Sequence, residues 1–395
     1  MITATVAAVA ALLSLDGVYQ TDGYNVAVAI SNGTAQFYDL TKVSCAPSDI
    51  ATEVRPGVFE SEDSRYRISP HRLQVDGSVG TIRLRPLPAL PARCAVETPS
   101  DPLSVFDVFW ASYAENYPAF RLKGVDWRAE RARVRPQIHA GISDDRLFEL
   151  MAGMLEPLGD AHVGLRSPEH AYSGVRPGTE LPSDELEARA QALIHKDLRG
   201  AKLTSYGSIQ YADLPGRIGY LRITSFDEDL DDALDTIFRK PLLGLMIDLR
   251  VNPGGSDPFG LRLASRLTNK PYVAYRKSTL VTAPQSIRVH PSRRPSYRGP
   301  IAVLTSGATV SAAESTTLAL DGRSPRPIRY GESTQGAFSD TMIRTLPNGW
   351  LIAVPAERYV SASGRNYEGV GLPPHRATPA FDSSTFEAAL RELRR

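Results

Sequence analysis

The chain has 395 residues, more than one hydrophobic core usually organises, so two or three structural units are expected. Its 42% hydrophobic and 23% charged residues supply enough apolar material for packed cores and exclude a disordered chain. Forty-five Lys and Arg against 44 Asp and Glu leave a net charge of +1, which excludes the basic field that nucleic-acid binding requires.

Residues 1–15 form an apolar leader, and their stretch ITATVAAVAALLSL is shorter than the ~20 residues that span a bilayer. Such a stretch is typical of the apolar part of a signal peptide, although no Lys or Arg precedes Lys42. It is equally typical of a first buried helix or strand. No later segment has the pattern of a membrane span, so none is expected.

Residues 16–97 contain short β-rich pieces, such as NVAVAI and TIRLRPL, between Gly, Asn, Asp and Pro. This pattern predicts a small antiparallel β domain. Its Cys45 and Cys94 are the only cysteines, and two of them cannot make a structural zinc site, which leaves a disulfide or two buried thiols. A bridge is the favoured alternative, and it predicts an oxidising compartment, extracellular or periplasmic, with a cytoplasmic location as the open alternative.

A helical subdomain is predicted over residues 98–165, where apolar residues recur at helical spacing. Its helices cover Phe106 to Tyr117, Trp127 to Ile138 and the residues from Ser143 to about Pro157. Residues 166–216 are polar and rich in Pro and Gly, which predicts a connector with one helical piece over residues 184–195.

An α/β domain is predicted over residues 217–381, followed by a C-terminal helix over residues 382–395. Apolar strands alternate with helices there, which predicts a largely parallel sheet covered on its faces. The predicted strands are IGYLRI (218–223), LGLMIDLR (243–250), IAVLTS (301–306) and WLIAVPA (350–356), and the predicted helices are 227–239, 258–267 and 311–320.

Three groups of residues in these units are candidates for chemistry. Ser311 follows a buried strand and begins a helix, where the helix dipole would stabilise negative charge on a reacting carbonyl. The spacing of Ser311 and Glu314 is equally that of a capping box, in which both residues only bind free helix amides.

The second group is the Pro-Gly-Gly loop after the strand that ends near Asp248. The amides of Gly254 and Gly255 can approach a substrate closely and donate to an oxyanion, although a Gly-Gly pair is also common in ordinary strand-to-helix turns. The third group is His162, in the loop LGDAH, with Glu368 as its partner. A histidine in such a loop can act as a general base near pH 7, although most single histidines are structural.

The order and spacing of these groups resemble peptidase family S41, the C-terminal processing and tricorn-type serine proteases. The resemblance covers residues 103–381 and is carried by FDVFWASYAENYP, LGDAHVGL, IGYLRITSF, IDLRVNPGG, VLTSGATVSAAE, GESTQG, LPNGW and YEGVGLPP. Within the family, the chain is most similar to the branch of tricorn core and the interphotoreceptor retinoid-binding protein repeats. The resemblance implies a crotonase/ClpP-like ββα spiral for the catalytic core.

Two departures from the tail-specific members favour that branch. Those members place a Lys base about 25 residues after the nucleophile, where this chain has Thr334-Gln-Gly-Ala337-Phe, and no Lys follows Lys277. The residues between His162 and Gly216 are also too few for the PDZ domain that those members insert.

The resemblance implies Ser311 as nucleophile, His162 as base and Glu368 behind the base. The backbone amides of Gly254, Gly255 and Ala312 are the expected oxyanion donors. Related enzymes often carry a serine just before the histidine, but Ala161 stands there, so Glu368 contacts His162 directly, or Asp160 or a water orients the imidazole, or the relay is weakened.

The sequence thus predicts a serine-type peptidase that hydrolyses unstructured peptides, without cofactor or metal, since His162 has no Cys or His at ligand spacing. Two alternatives remain: a non-catalytic protein that binds hydrophobic ligands or peptides on the same fold, and a hydrolase of non-peptide esters.

Overall fold

The computed structural model describes residues 15–395, so the predicted leader lies outside the described residues except for Leu15. The described chain begins with a closed barrel of eight antiparallel strands, in which the first strand pairs with the last. The strands are β1 Gly17–Thr21, β2 Val26–Ser31, β3 Thr34–Leu40, β4 Cys45–Arg55, β5 Val58–Glu60, β6 Arg65–Ser69, β7 Arg72–Val75 and β8 Ile82–Leu87.

The barrel encloses a core of its own because alternate residues of each strand point inward. In β3, for example, Ala35 and Phe37 are buried between less buried neighbours. Cys45, the first residue of β4, forms a disulfide with Cys94, which lies in a short turn of 3-10 helix after β8. The predicted bridge is therefore confirmed, and it fastens the segment that leaves the barrel to the barrel wall.

Four helices and a small sheet follow the barrel. The helices are α1 Pro102–Asn116, α2 Phe120–Lys123, α3 Trp127–Val134 and α4 Asp144–Leu155, and the strands after them are β9 Gly164–Arg166 and β10 Ala171–Ser173. The first helix begins at Pro102 because the Asp101 carboxylate accepts the amides of Leu103 and Ser104 and Pro suits the first helical position. Ser143 caps α4 in the same way, through the amide of Arg146.

The rest of the chain is α/β. Its helices are α5 Asp184–Leu198, α6 Asp231–Phe238, α7 Asp257–Arg266, α8 Ala312–Leu320 and α9 Ser383–Leu393. Its strands are β11 Thr204–Tyr206, β12 Ile209–Leu214, β13 Ile218–Ile223, β14 Gly244–Asp248, β15 Val251–Asn252, β16 Tyr272–Ser278, β17 Gln285–Val289, β18 Ile301–Thr305, β19 Ala308–Thr309, β20 Ile328–Gly331, β21 Thr341–Thr345, β22 Leu351–Pro355, β23 Arg358–Ser361 and β24 Arg376–Ala377.

A seven-stranded sheet in the order β11-β12-β13-β14-β18-β20-β24 forms the centre of this region. The strands from β13 to β24 run parallel, and both sheet faces are covered as predicted. Leu245 and Ile247 pack toward α6, α7 and α8, whereas Met246 between them packs toward α5 and α9. The carboxyl ends of β14 and β18 thus lie side by side and lead into the short parallel strands β15 and β19.

The structure corrects one prediction about this region and adds a strand pairing to another. The segment 166–216 is more than a connector, because it contributes β11 and β12, which extend the central sheet in antiparallel fashion. The strand predicted over 350–356 does not join the parallel sheet. It forms β22, which pairs with β21 and β9 and packs against the helical region. Period-2 patterning identified it as a strand but carries no information about its partner.

No helix within residues 15–395 combines the length and apolar character needed to cross a bilayer.

Candidate active site

Ser311 occupies the sharp turn between β19 and α8. Its φ of 56° and ψ of −122° are strained for a residue with a side chain. Two backbone hydrogen bonds hold this conformation: the amide of Val310 donates to the carbonyl of Asn252 at 3.0 Å, and the amide of Ser311 donates to the carbonyl of Ala337 at 3.1 Å. Strain that the surroundings enforce in this way is characteristic of functional sites.

Glu314 lies fully buried directly behind this turn. Its carboxylate accepts the amides of Gly336 at 2.7 Å, Ala337 at 2.8 Å and Ser311 at 3.3 Å. Burial raises the pKa of Glu314 to about 7. The contact with the Ser311 amide is the glutamate half of the predicted capping box, so a role of Glu314 in the helix cap and a role of Ser311 in chemistry are compatible.

The Gly254–Gly255 loop packs against the same turn. Both glycines have a positive φ, 104° and 124°, and a Cβ on Gly254 would lie 2.6 Å from the Cβ of Ser311. The amide of Gly254 donates to Asn252 Oδ1 at 2.8 Å, which corrects the expectation that it faces an oxyanion. In the described chain, the amides of Gly255 and Ala312 have no hydrogen-bond acceptor, so these two donors are free.

His162 lies in the loop between α4 and β9. The Asp160 carboxylate fixes that loop by accepting the amide of His162 at 2.9 Å and the hydroxyl of Tyr117 at 2.8 Å. Burial lowers the pKa of the His162 imidazole, and the carboxylates of Asp160 and Asp340 oppose that shift. The imidazole is therefore neutral at pH 7, the state that a general base requires.

His162 and Ser311 line one cavity of about 960 Å³. They come together although they are 149 positions apart in the sequence. Within residues 15–395, no hydrogen bond joins the imidazole to the Ser311 hydroxyl, and His162 Nδ1 is buried without a hydrogen-bond partner. Hydrogen bonds between catalytic groups are often long before substrate binds.

Glu368 is buried near this loop but forms no hydrogen bond with His162 in the described part of the chain. Its Oε2 accepts the amide of Phe338 at 3.2 Å, and its Oε1 has no hydrogen-bond partner. Burial and the neighbouring Asp160 raise the pKa of Glu368 well above its usual range. The first of the three predicted alternatives, a direct contact between Glu368 and His162, is thus not formed. The Asp160 carboxylate binds the backbone amide of His162 and so orients the loop rather than the imidazole.

Lys123 is a site residue that the sequence did not indicate. Its Nζ lies 3.5 Å from Glu368 Oε1 and donates to the carbonyl of Gly159 at 3.3 Å, and its positive charge lowers the pKa of Glu368. It belongs to the short helix α2, whose sequence FRLK has the appearance of an exposed turn. Its burial results from the tertiary packing of α2 beside the His162 loop.

Lys277 is a second buried lysine near the cavity. Its Nζ lies 3.0 Å from Asp340 Oδ2 and 3.0 Å from Glu357 Oε1. Although burial alone lowers the pKa of a lysine, these two carboxylates raise that of Lys277, so it remains a cation and is no candidate base. Asp340 and Glu357 line the cavity, and the hydroxyls of Ser78 and Tyr24, both from the barrel, bind them in turn.

The sequence predicts no metal site, since His162 has no Cys or His at ligand spacing. Within residues 15–395, no cluster of three or more His, Cys, Asp and Glu has the arrangement of a metal site.

Comparison with known proteins finds a family similarity in the α/β region. Residues 217–378 match the sequence model of Peptidase family S41. This segment contains Ser311, Gly255 and Glu368 and begins after His162.

Curated relatives match over the same part of the chain. The carboxyl-terminal-processing peptidase 2 of Arabidopsis thaliana is 28% identical over 181 residues, which are 42% of this chain and 34% of that protein. The carboxy-terminal processing protease CtpA of Bacillus subtilis is 27% identical over 161 residues, 40% of this chain and 34% of that protein. The chain thus matches about a third of the length of these relatives.

A solved structure extends the similarity beyond the family segment. A candidate peptidase from Parabacteroides merdae superposes with a TM-score of 0.64 at 25% identity, over 75% of this chain and 97% of that one. Residues 217–378 are thus similar in sequence to peptidase family S41, and the superposed structure includes a peptidase of the same fold.

Proposed function

We propose that the protein is a serine-type peptidase that hydrolyses peptide bonds of unstructured peptides through an acyl-enzyme on Ser311. One observation carries the proposal: Ser311, in a strained turn at the start of a buried helix, lines the same cavity as the neutral imidazole of His162. A serine hydroxyl is a weak nucleophile at neutral pH and needs such a base.

In the proposed reaction, His162 takes the proton of the Ser311 hydroxyl while Oγ attacks the peptide carbonyl carbon. The amides of Gly255 and Ala312 donate to the oxygen that becomes negative, and each such donor contributes about 3 kcal/mol to lowering the barrier. His162 then gives its proton to the leaving amine as the C–N bond breaks. A water molecule, activated by the same imidazole, attacks the ester and releases Ser311.

Glu368 supplies the acidic group of the site, and the positive charge of Lys123 opposes the rise of its pKa and so favours its ionised form. An anion near the imidazole stabilises the imidazolium that forms during attack. The two polar atoms that a relay would join, His162 Nδ1 and Glu368 Oε1, both lie buried without a hydrogen-bond partner within the described residues. With Ala161 in place of a relay serine, we propose that Glu368 acts through the electrostatic field or through a water rather than by direct contact.

The finer assignments follow from the same resemblance. We propose that the α/β region follows the crotonase/ClpP-like ββα spiral, and that the chain divides at residues 97, 165 and 381. The absence of a lysine after Lys277 and the short segment 166–216 support the tricorn-related branch. The Cys45–Cys94 disulfide supports an oxidising location, extracellular or periplasmic, and hence a secreted protein.

A non-catalytic binding protein is the second candidate, and the missing hydrogen bond between His162 and Glu368 is the observation that favours it. Peptide cleavage separates the two. A library of unstructured peptides, profiled by mass spectrometry, should be cleaved by the native protein and left intact by Ser311→Ala.

Ser256→Ala is the matched control for this assay, because Ser256 lines the same cavity but its hydroxyl binds the carbonyl of Gly77 at 3.2 Å. Cleavage should persist in that variant. An intact library together with hydrolysis of simple esters would favour the ester hydrolase, and an intact library without ester hydrolysis would favour the binding protein.

A further inference from the structure

The cavity that contains Ser311 and His162 continues into the open end of the N-terminal barrel. Residues of β1 to β8 and their loops form one wall, and the turns that carry His162, Gly255 and Ser311 form the other. We propose that this barrel mouth is the substrate-specificity pocket of the site, and that it selects peptides with a large apolar residue beside a basic one. The catalytic meaning of this inference rests on the proposed peptidase function. Its test does not, because it measures peptide binding rather than cleavage.

The barrel is held in a fixed position over the active site. Ser78 Oγ donates to Asp340 Oδ2 at 2.7 Å, and the Tyr24 hydroxyl donates to the Glu357 carboxylate. On another side, the buried guanidinium of Arg344 donates to the carbonyl of Tyr24 at 2.7 Å. Buried polar contacts of this kind fix register and orientation between packed units. The barrel wall is therefore anchored beside the site by these contacts.

The wall that the barrel contributes contains an apolar surface. Phe37 and Leu73 belong to the core of the barrel and still border the cavity, so the end of the barrel is not closed by its own side chains. The Phe37 ring packs against that of Tyr66, with centroids 4.4 Å apart. Half-buried apolar residues complete the mouth: Val26, Val75 and Ile82. A large apolar side chain would gain affinity by covering this surface.

The charged side chains that line the cavity are acidic. Among the described residues that line it, five carry carboxylates and none is Lys or Arg. The carboxylates are Asp39, Asp49, Asp76, Asp340 and Glu357.

Cations outside the lining pair with four of these carboxylates. Lys277 pairs with Asp340 and Glu357, Arg67 lies 2.5 Å from Asp76, and Arg344 lies 4.0 Å from Asp39. Asp49 differs, because its partners within residues 15–395 are neutral: the Tyr66 hydroxyl and the amide of Ile50. Its negative charge is therefore left for a ligand, which is why a basic residue is expected beside the apolar one.

The test measures peptide binding to the full-length Ser311→Ala protein by fluorescence anisotropy, so that cleavage plays no part. Four dye-labelled Gly/Ser decapeptides carry Phe-Lys, Phe-Glu, Ala-Lys or Ala-Glu at their centre. We expect Phe-Lys to bind tightest, with a loss of about tenfold when Phe becomes Ala. We expect a further loss of about threefold to fivefold when Lys becomes Glu, the effect of one partly screened charge pair.

Asp49→Asn in the same background should bring the affinities of the Phe-Lys and Phe-Glu peptides together. Asp63→Asn is the matched control, an exposed barrel aspartate outside the cavity, and should preserve their ratio. A second measurement does not need the Asp49→Asn variant and is therefore independent of any folding defect in it. The preference for Lys should shrink as the salt concentration rises.

Equal affinities for the four peptides, or a Lys preference that neither salt nor Asp49→Asn reduces, would overturn the inference. The inference would also be overturned if an uncharged apolar small molecule displaced every peptide and no preference for Lys remained. If the expected pattern appears but the native protein cleaves nothing, only the proposed peptidase function fails. If the native protein cleaves peptides but the pattern is absent, only the specificity pocket fails.

Discussion

The Ser311 backbone and the Glu314 carboxylate depend on one another. Glu314 holds three amides that set the strained turn, and its burial raises its pKa to about 7 from an ordinary 4.5. The native protein therefore keeps this proton to a higher pH than the unfolded chain does. The stabilisation is complete below pH 4.5 and is lost as the pH rises through about 7.

Glu314→Gln removes this titration. The variant should be less stable than the native protein at pH 5, because an amide nitrogen faces backbone donors, and the difference should narrow by at most about 3 kcal/mol by pH 8. Urea unfolding at several pH values measures it. Glu62→Gln, at an exposed barrel position, serves as control and should show no such trend; a pH-independent difference for Glu314→Gln would refute the account of its burial.

Lys123 acts on both titrating groups of the site. Its charge lowers the pKa of Glu368 and of His162, so Lys123→Met should raise both. Because the base must be neutral, the acid limb of the kcat/KM profile should move to higher pH, and kcat should fall because Glu368 is ionised to a smaller extent. Lys202→Met, on an exposed residue, should leave the profile unchanged. An unshifted acid limb in Lys123→Met would remove Lys123 from the site.

At the scale of elements, two strand ends and one helix start build the active site. The strands β15 and β19 pair in parallel, so the Gly254–Gly255 loop after the first packs against the Ser311 turn after the second. Helix α8 then begins with the free amide of Ala312. The loop is therefore placed by sheet register, and its glycines are required because their Cβ positions are occupied.

Gly254→Ala tests that packing. The added Cβ would lie 2.6 Å from the Ser311 Cβ at a φ of 104°, so we expect a loss of activity of more than about 100-fold together with about 1–3 kcal/mol of stability. Gly349→Ala is the matched control, since Gly349 also has a positive φ, 84°, but no atom within 4 Å of its Cβ position. It should lose stability and keep activity. Comparable activity in both variants would show that the loop does not shape the site.

The elements also mark the limit of what the sequence could predict. The buried strands near residues 247 and 303 and the helix after Ser311 follow from apolar runs and turn residues, and they form where predicted. Strand partners do not follow from such patterns, so the pairing of β22 with β21 and β9 could not be predicted. The engagement of the Gly254 amide and the burial of Lys123 likewise arise from contacts between distant segments, which local patterns do not encode.

At the scale of the whole molecule, the barrel and the α/β region share the cavity, so the integrity of the barrel matters for the site. The Cys45–Cys94 disulfide closes a segment of 49 residues, and a bridge of that span stabilises by roughly 4 kcal/mol in the chain-entropy treatment. A reductant should therefore lower the Tm of the native protein. The Cys45→Ala/Cys94→Ala double variant should start at the lower Tm and be insensitive to reductant. An unchanged native Tm after complete reduction would show that the bridge does not stabilise the fold.

The central claim is that His162 and Ser311, from two separate regions of the chain, act on one reacting carbonyl. The most direct measurement is covalent labelling by a fluorophosphonate probe at neutral pH, with the modified residue located by mass spectrometry. The account predicts one modification, on Ser311, that persists in Ser256→Ala and is lost in Ser311→Ala and in His162→Ala. A native protein that resists the probe, or one whose labelling is unaffected by His162→Ala, would contradict it.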